Sequence, residues 1–196
     1  MTTRADVAAE WAWLLGQAGV LALFAGRIRL TGGFPEPVEA SADLAVAVAQ
    51  LILGVLLGPT LFRTAAHASR AGAVCVPFAL LGSLLSGRPV GHTITLWTVA
   101  WLWLALIGRT TRWPMARFGL CFLTIAVPVL FYARNEYGMP SPITNWPWRL
   151  SPTLGVCATA FHTSAWASIS VPAAGHIAVS GLLKAFRSRR PVYCNA

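Results

Sequence analysis

Acidic residues are scarce in this chain. Six Asp and Glu stand among 196 residues, and none falls between Asp43 and Glu136 or anywhere after Glu136. Over most of its length the sequence therefore offers no raw material for paired-carboxylate chemistry or for an Asp-containing triad. It also lacks the mid-membrane carboxylate on which proton- and sodium-coupled carriers commonly rely. Only Glu10 could reach a membrane, from the first turns of the first apolar segment, and the inner interface suits it better.

Cysteine is nearly as uninformative. Cys75, Cys121 and Cys157 sit inside apolar runs, Cys194 sits near the end, and no CxxC occurs. Isolated cysteines in such runs are small buried hydrophobes, so neither a disulfide framework nor a zinc or iron–sulfur site is expected. Cys194 is followed by Asn195 and Ala196, one residue short of a prenylation box.

Charged residues of both signs make up 11% of the chain, against about a quarter in an ordinary soluble domain. Apolar residues make up 56%, and the mean hydropathy is +0.63. A soluble globule of this size cannot bury that much apolar surface. Disorder requires the opposite composition. What remains is an all-α polytopic membrane protein, read here as one transmembrane domain over residues 1–196.

The net charge of +9 comes almost wholly from arginine. The cations fall between apolar runs, where they report topology and anionic headgroups rather than nucleic acid. Six apolar segments can be marked, at residues 7–25, 44–62, 71–85, 93–107, 118–132 and 154–183. A span needs ~20 residues. The second segment meets this, and the third to fifth must borrow flanking residues. The sixth would measure roughly 50 Å as one straight helix, so a break or kink is expected at Pro172 and Gly175. The first reads as an uncleaved span rather than a signal peptide: Asp6 and Glu10 dilute its charged start, and bulky Phe24 stands where small residues would mark cleavage.

With six spans and the N-terminus inside, ten cations are cytoplasmic: Arg4, Arg63, Arg70, Arg109, Arg112, Arg117, Lys184, Arg187, Arg189 and Arg190. Five are outside: Arg27, Arg29, Arg88, Arg134 and Arg149. This bias favours a bacterial-type inner membrane with both termini cytoplasmic. If the short third segment only dips in and returns, the bias weakens. The outer 27–43 loop is rich in turn residues. The outer 132–152 loop carries Trp146 and Trp148, which suit the headgroup level as an aromatic belt. The Lys184–Arg190 run suits anionic lipid at the inner surface, at ~1 kcal/mol per charge.

Four histidines are the candidate ligands. His162 and His176 are fourteen residues apart, which on one helix means about 40° in azimuth and ~21 Å in height. That spacing resembles the one by which b-type cytochromes stack two haems across a bilayer. The resemblance implies haem b, with His162 paired to His92 near the outer face and His176 paired to His67 near the inner face. Pro172 lies between the two histidines of the sixth segment and disturbs that register.

Small residues carry packing rather than catalysis. Gly155, Thr159, Thr163 and Ala167 form one ridge, Ala160, Ser164 and Ser168 another, and Gly54 with Gly58 a GxxxG. The tryptophans Trp97, Trp101 and Trp103 are expected to face lipid or a neighbouring helix. Short strings recur in order in the two halves, among them Val76-Pro77-Phe78-Ala79 and Val171-Pro172-Ala173-Ala174. Were the halves inverted repeats, Pro77 and Pro172 would break two spans near the midplane. A solute path there would use backbone dipoles, Ser164, Ser168 and His176. The leading expectation is a non-catalytic membrane-embedded subunit or small-solute permease without a cofactor. The alternative is a bis-histidine haem protein, and an intramembrane hydrolase using a serine near His162 comes third.

Overall fold

The computed structural model describes residues 4–31, 42–87, 89–110, 113–137, 150–161 and 165–188. Among them the structure is helical and contains no strand. The helices are α1 (Arg4–Thr31), α2 (Ala42–Leu61), α3 (Ala65–Ser86), α4 (Val90–Thr110), α5 (Pro114–Glu136), α6 (Pro152–Phe161) and α7 (Ala165–Ser188). Four of them, α2 to α5, are long and apolar enough to cross a membrane. An apolar bilayer would leave their backbone groups without partners in any other conformation, which is why such sequences fold as helices.

Capping chemistry, not hydropathy, sets several ends. Thr64 caps α3 by accepting from the His67 N–H at 3.2 Å, so α3 begins well before its apolar run. Gly87 takes the left-handed conformation (φ 61°) that closes the same helix. Pro114 opens α5 at a position where a missing N–H costs nothing.

Side-chain contacts fix the directions of the helices. Trp13 Nε1 donates to the Ala71 carbonyl at 3.1 Å, and one turn along both helices Gln17 and Cys75 meet through Gln50. Helices α1 and α3 are thus parallel, with α2 antiparallel between them. Trp101 bonds Gln50, Leu104 lies against Gly54 and Phe62 against Gly108, which makes α4 parallel to α2. Ser83 accepts from Trp97 Nε1 at 2.9 Å across the α3–α4 turn. Helix α7 is parallel to α4, since His176 reaches Leu102 and Arg109 reaches Ser180. Helices α1 to α4 therefore alternate in direction, and α7 runs with α2 and α4.

The three α4 tryptophans face neighbours: Trp97 and Trp103 are buried, and half-exposed Trp101 still bonds Gln50. Gly54 of the GxxxG pair is packed against the Leu104 side chain. The approach to neighbouring backbone, however, is at Gly82. A Cβ there would lie 3.2 Å from the Asp43 Cα and 3.4 Å from the Ala42 carbonyl. Backbone cannot swing aside as a side chain can. Gly82→Leu should cost about 1–3 kcal/mol by forcing α3 from α2. Gly72→Leu, on the same helix with nothing within 4 Å, should be nearly neutral in the same detergent unfolding titration.

The sixth segment is interrupted elsewhere. No break occurs at Pro172 or Gly175, since α7 is one helix through both. Its helical assignment is instead divided into α6 and α7, with residues 162–164 outside the description. Gly175 packs against α4, its would-be Cβ 2.7 Å from Leu106 Cδ2. Pro77 likewise lies within unbroken α3. Pro77 is exposed and Pro172 buried, so they occupy unlike environments.

Candidate functional site

A different proline organises the interior. Pro128 has no N–H and cannot donate to the carbonyl four residues earlier, that of Thr124. Around this point α5 widens into a π-turn, Phe122–Ala126, in which the Val127 N–H reaches back to the Phe122 carbonyl. The Thr124 carbonyl is taken up from outside the helix: Thr153 Oγ1, on the first turn of α6, donates to it at 2.7 Å. A neighbouring hydroxyl is the usual way in which a proline-freed carbonyl is satisfied away from water.

This bond sets the depth of α6. Thr124 is midway along the 23 residues of α5, about 15 Å from either end. The first turn of α6 therefore starts in the middle of the bundle and not at its surface. Residues 151–156 are all buried, with Ser151 at 0% and Thr153 at 7% exposure. Ser151 caps the helix, its Oγ accepting from the Leu154 N–H at 3.4 Å and its carbonyl from the Gly155 N–H at 2.8 Å. Read from sequence, residues up to Pro152 form an outer loop. In the structure the last of that stretch, Ser151 and Pro152, is interior. Trp146 and Trp148 of the expected belt lie outside the described residues.

Two polar atoms in this core have no hydrogen-bond partner among the described residues. Thr124 Oγ1 is one and Trp103 Nε1 is the other. Trp103 belongs to the same core cluster as Val156 and Ala160 of α6. Around the start of α6 the available groups are hydroxyls and a helix N-terminus carrying partial positive charge. Such a set can hydrogen-bond a neutral or anionic solute, and it offers a cation little.

The expected site residues are dispersed. His162 and Ser164 lie outside the described residues, and Ser168 is described only as backbone on the first turn of α7. His92 is exposed on the first turn of α4. His67 lies one turn before Ala71, on the α3 face that meets α1, with Nδ1 buried and without a hydrogen-bond partner. His176 instead faces α4, its Nε2 donating to the Leu102 carbonyl at 2.9 Å. His67 and His176 thus turn toward different neighbours, and the nitrogen of His176 most suited to iron is already engaged. Among the described residues no three of His, Cys, Asp and Glu gather as a metal site. Of the two small-residue ridges, Gly155, Thr159 and Ala160 are buried in α6.

A second polar group, missed in the sequence, crosses four helices. Gln50 Nε2 donates to Gln17 Oε1 at 2.8 Å and lies 3.4 Å from the Cys75 carbonyl, while its Oε1 accepts from Trp101 Nε1 at 3.4 Å. Gln17 and Gln50 are at 0% and 1% exposure. The signal was available as one lone amide in the middle of each of two apolar runs. Because this network is satisfied within itself, it reads as a fastening for α1 to α4. No family model matches the chain, and neither a curated protein nor a solved structure is similar to it.

Proposed function

We propose that the protein is a six-span inner-membrane permease for a small neutral or anionic solute, with both termini cytoplasmic. The observation that supports this reading most is the start of α6, a helix N-terminus held at mid-depth against the π-turn of α5. Discontinuous helices whose N-termini point inward are a recurring way to build a solute site without a carboxylate. π-turns within α-helices also occur frequently at functional sites. The candidate spans α2 to α5 carry acids only at their ends, Asp43 and Glu136, which agrees with a solute that needs no cation coupling. The alternating directions of α1 to α4 support successive crossings, and the arginine distribution supports the orientation.

A single-cysteine protein carrying Ser151→Cys tests the permease. An impermeant thiol reagent should label it in intact cells, because a solute path must open to water at this depth. A membrane-embedded subunit with a static core would leave it unlabelled. Proteoliposomes given glycerol, urea, chloride and phosphate should pass at least one faster than protein-free vesicles, and the rate should fall in Thr153→Val. Equal rates for all four would overturn transport of this solute class. In the same cysteine-depleted background, strong external labelling of Cys194 would overturn the orientation alone.

A further inference from the structure

On α7, at the residues from which His176 reaches Leu102 and Ser180 accepts from Arg109, a groove of about 370 Å³ is lined by His176, Ile177, Ser180 and Gly181. We infer that this groove seats one anionic phospholipid of the inner leaflet, with its phosphate at Arg109 and Ser180 and an acyl chain along Ile177. The inference rests on the membrane orientation given above, but not on transport.

The two ends of the groove differ chemically. At one end Arg109, exposed on the last turn of α4, donates from Nη1 to Ser180 Oγ at 3.3 Å. A guanidinium has five N–H donors, and phosphate recognition commonly uses several of them at once. The α7 backbone continues for two more turns past Ser180. Neither α4 nor α7 contains an acidic residue to offset the Arg109 charge.

The other end is apolar. Ile177 is 74% exposed, and His176 is held against α4 by its bond to the Leu102 carbonyl. Gly181 leaves room beside it, since a Cβ there would meet nothing within 4 Å. An apolar trough ending in the Arg109 guanidinium complements an anionic lipid in both charge and shape. A zwitterionic lipid would bring its own cation to the same place.

The test compares purified protein in nanodiscs of phosphatidylcholine with and without phosphatidylglycerol, and counts lipid retained through detergent exchange by native mass spectrometry. One phosphatidylglycerol should be retained selectively. Retention should fall roughly fivefold or more in Arg109→Gln, the effect of about one interfacial charge. It should fall similarly in Gly181→Trp, which puts bulk into the groove from a position where a Cβ meets nothing within 4 Å. Equal retention of both lipids, or unchanged selectivity in both variants, overturns the seat. Loss in Arg109→Gln alone reduces it to surface attraction and overturns it as well. Glycerol phosphate or inorganic phosphate displacing the lipid at millimolar levels would show a headgroup site without a chain groove, again overturning it. Failure to enter nanodiscs would instead overturn the membrane reading itself. Thermal melts of both variants in detergent, matching the parent, confirm that the fold is intact.

Discussion

Trp13→Ala should destabilise the protein by about 3–5 kcal/mol, the range for removing a buried aromatic side chain. Trp13 is 1% exposed, packs with Leu61, Ala71 and Cys75, and donates its indole N–H to the Ala71 carbonyl. Truncation opens a cavity between α1, α2 and α3 and removes a bond joining two of them. Trp11, two residues away, is 58% exposed. Trp11→Ala should therefore stay within about 0.5 kcal/mol. Unfolding in mixed micelles with increasing SDS measures both. Equal effects would mean that α1 does not pack in the bundle as described.

Gln50→Ala should cost about 2–3 kcal/mol. Interhelical hydrogen bonds in membranes are worth roughly 0.6–1.7 kcal/mol each, and Gln50 connects α2 to α1, α3 and α4 at once. Part of the loss is the stranded amide of Gln17, whose other bond runs to its own helix at the Trp13 carbonyl. For that reason Gln17→Leu combined with Gln50→Leu should cost less than the sum of the two single changes. Additivity within about 0.3 kcal/mol in the same titration would deny that the two amides act together.

These two residues show what the sequence made legible. Hydropathy marks the apolar cores of α2, α3 and α4 but places the start of α3 six residues late, at Ala71 and not Ala65. The missing turns contain Thr64, His67 and Arg70, polar residues that a cap makes helical and that no hydropathy average includes. Gln17 and Gln50 are visible as polar residues amid apolar ones, yet their partnership depends on how far α1 slides along α2, which is a property of packing.

The sixth segment teaches the complementary lesson. Its length demanded an interruption, and Pro172 and Gly175 were the residues in it best suited to cause one. Proline does not end a membrane helix when packing favours continuation, and Gly175 serves close approach to Leu106. Conversely, Pro128 was legible as a residue that frees the Thr124 carbonyl. The donor that answers it, Thr153, is 29 residues away in the chain, and no local pattern names it. The same separation kept the depth of α6 out of reach.

That separation also imposes an order on the making of the protein. When α5 leaves the ribosome, its Thr124 carbonyl has no proline N–H to meet and the hydroxyl that will satisfy it has not been synthesised. At 5–20 residues per second, the delay is on the order of seconds. A bare carbonyl in hydrocarbon costs several kcal/mol, so a chain cut before Thr153 should insert α5 less completely than the full chain in a translation assay with added membranes.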